Sequence, residues 1–440
     1  MIDKKYPILK KQYALTLRYK ESIIYPLCAD DIITSAEYNY EKINQSAAEI
    51  LSLCNGENTI DDIIHKMAYK YNQEYEQISD MVVDFLNYSS EKQYIMFSDE
   101  ELKYQINIGG DFSLYTPINA AFEITRGCPL SCRHCYNDSG KTLEDELSTE
   151  QVYEVMDKLE NLGVHKLMIT GGEPTNRQDF LDIVKYACSK FTGITIASSG
   201  FLITEEIASK LSLYRNKIVV QISLDGTQEH HDGIRCVQGA YERAIDAIKY
   251  LRKYGIIVVI GTTINGENFE DMEQIAQVAN ELDVLQVTYG VTTDMGRAKI
   301  NKLSSQINID RFFESIKNLH NEFLPKGLYI NYSEETKCEN CITDKISCGA
   351  GITQIAIRPN GDVSPCVNFA YSMGNIVIDD IYNIFSCDKM GIFTKLPAPS
   401  KKMCGNCEKI DECKNCIACA VSSDVEVCAW YNLFKTSIGD

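Results

Sequence analysis

The segment Cys128-Pro129-Leu130-Ser131-Cys132-Arg133-His134-Cys135-Tyr136 brings three thiols close together in one short stretch. Three thiolates can hold three irons of a cubane, which leaves the fourth iron open to an external ligand. An electron-transfer cluster usually takes four cysteines, so a triad reads as a catalytic arrangement. Zinc is the competing reading, and three cysteines without a nearby fourth ligand fit it less well.

The chain holds 18 cysteines, and eleven of them lie after residue 337. There Cys348-Gly349-Ala350-Gly351 is followed by Arg358-Pro359-Asn360-Gly361-Asp362-Val363-Ser364-Pro365-Cys366, then by Cys404, Cys407, Cys413, Cys416 and Cys428. In a reducing compartment such density means metal binding or redox chemistry before disulfides. Cys28, Cys54, Cys188, Cys236 and Cys387 fall outside these patterns and are expected to be small, buried packing residues.

The elements that must position the triad are legible in the periodicity. From Thr116-Pro117 onward strands and helices alternate six times, which predicts an α/β fold with a parallel sheet: a partial barrel or an open doubly wound sheet. Strands are expected at Ala121 to Thr125, Lys166 to Thr170, Ile194 to Ser198, Ile218 to Leu224, Ile256 to Ile264 and Val284 to Thr288. Val152, Val155, Met156, Leu159 and Leu162 form one helical stripe, opened by a Ser148-x-x-Gln151 capping box and closed by Gly163. Chemistry then belongs at the carboxyl ends of the strands, and the triad directly follows the first. Upstream, strand-like Tyr13 to Leu17 and Ser22 to Tyr25 precede three helices, the second capped by Thr59, and Tyr94 to Phe97 returns as a strand. The expected division is 1–100 for this small α+β domain, 101–118 for a linker, 119–325 for the alternating core and 326–440 for the cysteine-rich tail.

Three strand ends carry further motifs. Strand two ends in Gly171-Gly172-Glu173-Pro174, where glycine permits close backbone approach. Strand three ends in Ser198-Ser199-Gly200, and strand four in Ser223-Leu224-Asp225-Gly226 with Arg235 beyond. With the triad, these loops resemble the radical S-adenosylmethionine superfamily. That resemblance implies that Cys128, Cys132 and Cys135 hold a [4Fe–4S] cluster whose open iron takes S-adenosylmethionine. It implies that Gly171, Gly172, Glu173 and Pro174 meet the methionine amino group, and that Ser223, Asp225 and Arg235 meet the ribose and carboxylate. Relatives often carry Asn where Ser199 stands, so a contact from Ser199 departs from the family pattern. The cofactor is expected to yield a 5′-deoxyadenosyl radical that abstracts hydrogen from substrate.

The tail resembles the SPASM extension of such enzymes, which implies two auxiliary [4Fe–4S] clusters and three clusters in all. Carried over, one would use Cys348, Cys366 and Cys416 with Cys341, and the other Cys404, Cys407, Cys413 and Cys428. The spacing between Cys413 and Cys416 is one residue shorter than the family's usual gap, as in subtilosin-type thioether maturases, and Cys338 and Cys419 are additional candidates. The stretch Ile43 to Gly56 with Thr59-Ile60 resembles the winged-helix, PqqD-like leader-recognition element of peptide maturases. The expected partners are therefore a precursor peptide with a leader and an electron donor such as flavodoxin or ferredoxin.

These resemblances imply a maturase that cross-links a ribosomally made peptide, with a Cys sulfur-to-carbon thioether as the expected product. A carbon–carbon cyclase is the alternative. A sulfatase-maturing enzyme has no use for a leader-binding domain, and a non-enzymatic metal-binding protein leaves the open triad and the strand-end loops unexplained. The precursor, the bond formed and the oligomeric state are not encoded legibly. With 43 basic and 62 acidic residues, a net charge of −19 repels nucleic acid and anionic lipid. No secretory signal or membrane-spanning apolar run is present, so a cytoplasmic location is expected.

Overall fold

The computed structural model describes residues 4–27, 40–303, 307–332, 349–386, 390, 392–393, 404, 407, 416, 418 and 428–438. The chain divides into two compact units, 1–118 with 158–165 and 385–387, and 119–157 with 166–384 and 388–440.

In the first unit, β2 (Tyr13–Leu17), β3 (Glu21–Pro26) and β4 (Glu41–Asn44) form an antiparallel run, with β6 (Asn107–Gly110) parallel to β2 on its other side. A separate pair joins β1 (Tyr6–Leu9) to β5 (Ile95–Ser98). Helices α1 (Gln45–Ser52), α2 (Ile60–Tyr71) and α3 (Tyr75–Glu91) lie between β4 and β5 in sequence. Asn44 caps α1, and Thr59 with Asp62 forms a reciprocal capping box on α2, which satisfies orphan N–H groups at the helix start. Leu15, Leu51, Ile60, Ile63, Val82 and Leu86 meet in one apolar core.

In the second unit, β7 (Asn119–Glu123), β8 (Lys166–Thr170), β9 (Gly193–Ser198), β10 (Ile218–Ser223), β11 (Ile257–Ile264) and β12 (Gln286–Val291) are parallel neighbours in sequence order. Helices α4 (Thr149–Asn161), α5 (Phe180–Lys190), α6 (Glu205–Leu211), α7 (Gln228–Arg235), α8 (Ala240–Lys253) and α9 (Met272–Glu281) alternate with them. Ser148 and Gln151 exchange the two capping-box hydrogen bonds at 3.0 and 3.3 Å. Fully buried residues alternate with half-buried ones along β8, β11 and β12, so neither face of the sheet is bare.

The sheet is longer than six strands. Beyond β12 come α10 (Gly296–Ile300) and α11 (Ile309–Phe323), then β13 (Tyr329–Tyr332), which pairs parallel to β12. On the opposite edge β14 (Gln354–Ile357) pairs parallel to β7, and β15 (Asp362–Ser364) and β16 (Gly374–Asn375) follow antiparallel. A strand from the cysteine-rich region thus lies directly beside the strand that leads into the triad. Among the described residues no helix is long and apolar enough to cross a membrane.

Candidate active site

The triad loop leaves β7 and is closed at its base by hydrogen bonds from Cys128 N–H to the Gly140 carbonyl at 2.8 Å and from Gly140 N–H to Arg126 at 3.1 Å. Cys132 is buried, and Cys128 and Cys135 are half-buried. Burial pushes the Cys128 thiol up to about 12, and the neighbouring Glu173, Cys132 and Cys135 charges add to it. Burial likewise raises Cys132, against the pull of Arg235. Thiols raised in this way, at Cys128 and Cys132, need a cation before they ionise, and iron supplies one. Among the described residues no three His, Cys, Asp or Glu side chains converge on one ion; a cubane takes each thiolate on its own iron.

The second strand-end loop is pinned to the first. Gly172 N–H donates to the Thr125 carbonyl at 2.7 Å and Glu173 N–H to Gly127 at 2.9 Å. A Cβ on Gly171 or Gly172 would run into the carbonyls of Thr125, Arg126 or Gly127, so only glycine permits this approach. Pro174 is buried and opens a short 3₁₀ turn. The fully buried Glu173 carboxylate accepts from Ser198 Oγ at 2.7 Å and from the Ser199 amide at 2.7 Å, and also from the Ser199 and Thr175 hydroxyls. Ser199, at the position where relatives often carry Asn, is thereby fastened to the Gly-Gly-Glu-Pro loop.

The fourth strand end is a buried ion-pair network. Asp225 Oδ2 lies 2.6 Å from Arg235 Nη2, and Oδ1 accepts from the Thr263 amide at 3.0 Å. Burial works to raise the Asp225 carboxyl, but Arg235, His134 and His231 more than offset it and hold it below its ordinary value. Arg235 Nη1 in turn points at Cys132 Sγ, 3.6 Å away. Burial lowers both His134 and His231 to about 4, keeping the rings neutral. Ser223 ends β10 half-buried, and its hydroxyl has no side-chain partner among the described residues.

Arg297 carried no signal in the sequence reading, yet it clamps the triad loop. Its Nε donates to the Cys132 carbonyl at 2.8 Å, its Nη1 to Ser139 O at 2.8 Å and Asp138 at 2.7 Å, and its amide to Cys135 O at 2.9 Å. The preceding Gly296 has φ of +49°, and a Cβ there would strike the Cys135 and Tyr136 carbonyls. A Gly-Arg pair just past the sixth strand was the available clue.

Near the thiols, His134 Nδ1, Asn137 Nδ2 and Arg235 Nε are buried without hydrogen-bond partners. Unsatisfied buried polar groups mark a place where a bound group completes the bonding. With three thiols beside them, they fit a cluster and a polar cofactor.

In the tail, Cys366, Cys404, Cys407, Cys416 and Cys428 are half-buried, and Cys407 N–H donates to the Cys404 carbonyl at 2.7 Å. Cys338, Cys341, Cys348, Cys413 and Cys419 lie outside the described residues. Cys54 and Cys188 are buried as expected. Cys236 is not: it caps α7 in the left-handed region at φ 58° and is exposed. Cys28 and Cys387 lie outside the described residues.

Three family profiles match the chain: the radical SAM superfamily over 122–279, the SPASM iron–sulfur cluster-binding domain over 348–417, and the coenzyme PQQ synthesis protein D family over 33–95. The subtilosin biosynthesis protein AlbA of Bacillus subtilis is 28% identical over 412 residues, 91% of this chain and 90% of that one. The mycofactocin maturase MftC of Mycobacterium tuberculosis is 30% identical over 321 residues, 69% of this chain and 79% of that one. The crystal structure of Streptococcus suis SuiB bound to S-adenosylmethionine superposes with a TM-score of 0.66 at 14% identity, covering 96% of this chain and 98% of that one, which shows a shared fold. The radical SAM and SPASM matches imply S-adenosylmethionine and iron–sulfur clusters as cofactors. The chain is a radical S-adenosylmethionine enzyme and belongs to the SPASM maturases of ribosomally made peptides that carry a PqqD-like recognition domain.

Proposed function

We propose that this enzyme closes a thioether between a cysteine sulfur and a carbon of its precursor peptide. The observation that carries the reading is the triad loop, in which Cys132 sits beside the buried Arg235 guanidinium and orphaned polar atoms lie close by. Cys128, Cys132 and Cys135 hold the catalytic cluster. Gly171, Gly172, Glu173, Pro174 and Ser199 form the cradle for the methionine end of the cofactor, with Glu173 holding Ser199 in place. Ser223 and Asp225 serve the ribose, and Arg235 serves the carboxylate while facing Cys132 sulfur.

Cys341, Cys348, Cys366 and Cys416 hold one auxiliary cluster and Cys404, Cys407, Cys413 and Cys428 the other, three clusters in all. Bound there, the cofactor would supply hydrogen-atom abstraction from the peptide carbon and a cluster would take up the electron released as sulfur and carbon join, the thiol giving up its proton. The PqqD-like match over 33–95 supports capture of a leader by strand addition to a sheet edge, which leaves side-chain pockets free to select sequence. The structure titled SuiB bound to precursor peptide SuiA supports a peptide partner. The full-length likeness to a subtilosin biosynthesis protein, and a 29% match to the sporulation killing factor maturation protein SkfB over 286 residues, support a sulfur bond over a carbon–carbon one. A flavodoxin or ferredoxin supplies the priming electron, which places the reaction in the cytoplasm.

The test is anaerobic incubation of iron-reconstituted enzyme, reductant and S-adenosylmethionine with the cognate precursor, followed by mass spectrometry. The product should lack two hydrogens per bond, and the cysteine should resist alkylation. A cysteine still open to alkylation in the cross-linked product removes the thioether reading. Cys132→Ala should abolish 5′-deoxyadenosine formation.

A further inference from the structure

A buried chain of hydrogen bonds leads from the triad loop to the cysteine-rich region. Tyr136 follows Cys135 directly, and its hydroxyl donates to Glu123 Oε1 at 3.0 Å. The same oxygen accepts from Arg358 Nη1 at 2.9 Å, and Glu123 is fully buried. Arg358 Nη2 then donates to the carbonyls of Cys366 at 3.3 Å and Phe369 at 3.1 Å, while Nε donates to Ser364 Oγ at 3.1 Å. The other carboxylate oxygen, Oε2, has no hydrogen-bond partner; it faces Arg126 Nη1 across 3.8 Å, and that nitrogen is also without one.

Holding a hairpin against a strand does not call for this arrangement. β14 already pairs with β7 through backbone hydrogen bonds, and a buried ion pair is poor evidence for stability because desolvation offsets its attraction. What the pair does provide is a fixed charge, sensed through hydrogen bonds, between a residue adjoining Cys135 and the peptide carbonyl of Cys366. Hydrogen bonds and charge near cluster sulfurs set reduction potential.

We propose that Tyr136, Glu123 and Arg358 form a positioning relay that ties the electrostatics of the triad loop to those of the Cys366 loop, so that the two clusters shift in potential together. The proposal rests on the triad and Cys366 being cluster ligands. No electron passes through these side chains; they fix the charge that both clusters feel.

The test is a redox titration, followed by electron paramagnetic resonance, of the full chain reconstituted with iron and sulfide at pH 8. Glu123→Gln keeps the shape and one acceptor oxygen but leaves the guanidiniums uncompensated, so both midpoints should rise. Arg358→Gln leaves the carboxylate uncompensated, so both should fall. The double variant should return toward the wild type, where simple structural damage would accumulate. Tyr136→Phe removes one hydroxyl and no charge; it should move the triad midpoint alone, and it keeps the test decisive if a charge variant does not fold. Single variants that shift in the same direction, do not shift, or lose iron overturn the relay. A wild-type chain that binds no iron at the triad overturns the underlying functional reading instead.

Discussion

The first unit and the triad region solve the problem of burial in opposite ways. The first unit gathers Leu15, Leu51, Ile63 and Leu86 into an apolar core and closes its helices with side-chain caps. The triad region buries Glu123, Glu173, Asp225 and Arg235 instead, each held by hydrogen bonds or an ion pair. Apolar burial is tolerant and roughly additive, whereas a buried charge depends wholly on its partner. The lesson is that the first unit rests on tolerant apolar contacts while the triad loops rest on particular charged partners, and substitutions should separate the two.

The largest effect is expected at Asp225. Asp225→Ala leaves the Arg235 guanidinium buried with Cys132 sulfur as its remaining named partner, which costs about 3–5 kcal/mol. Hydrogen exchange in β10 and β11, followed across a denaturant series, reports unfolding of the second unit. That transition should move to lower denaturant, and iron uptake should fall with it. Hydrogen exchange in β2 and β3 should stay at wild-type rates; faster exchange there would erase the contrast between the units.

A smaller effect concerns acid. His165 is buried in the first unit, its ring stacked on Tyr25 at 4.9 Å and its Nε2 2.6 Å from Thr16 Oγ1. Burial lowers it to about 4 from an ordinary value of 6.5. A histidine held neutral by the fold contributes stability that is fully present above pH 6.5 and is lost as the pH falls toward 4. The loss amounts to about 3 kcal/mol over that window. Protection factors of β2 and β3 amides, taken against the intrinsic exchange rate at each pH, should therefore fall in acid, and His165→Gln should flatten the dependence. An unchanged slope in that variant would assign the acid sensitivity elsewhere.

The contrast also explains what could be read in advance. The strand at Lys166–Thr170, the Ser148 capping box and the Thr59 cap were legible because their signals lie within a few residues. The strand expected at Val284 to Thr288 begins later, at Gln286, because the Val284 amide is still engaged by the carbonyl of Ala279 at the end of α9. The pairing of β14 with β7 was not legible, nor was Arg358 reaching Glu123 across 235 positions, since parallel partners distant in sequence leave no local pattern. Arg297 was missed for the same reason: its contacts at Cys132 and Ser139 lie 165 and 158 positions away. Cys236 departs from the expectation because an average cysteine is buried, whereas this one stands exposed at the end of α7.

The smallest effect should fall on the cap that the sequence showed most clearly. Thr59 Oγ1 accepts from the Asp62 amide at 3.1 Å, and Asp62 Oδ2 accepts from the Thr59 amide at 2.9 Å. The Thr59 hydroxyl, which donates to Asp62 Oδ2 at 2.6 Å, and the Thr59 amide together hold Asp62 below the usual carboxylate range even though it is largely exposed. Thr59→Ala leaves the start of α2 unsatisfied and should cost about 1 kcal/mol, within the range for N-cap loss. Thr59→Ser keeps the oxygen and should recover most of it. Because the first unit is held mainly by its apolar core, α2 should fray at its first turn without unfolding, seen as faster exchange of the Asp61 to Ile64 amides alone. Exchange that accelerates throughout α2 and α3 would mean that this cap, and not the core, holds the helices in place.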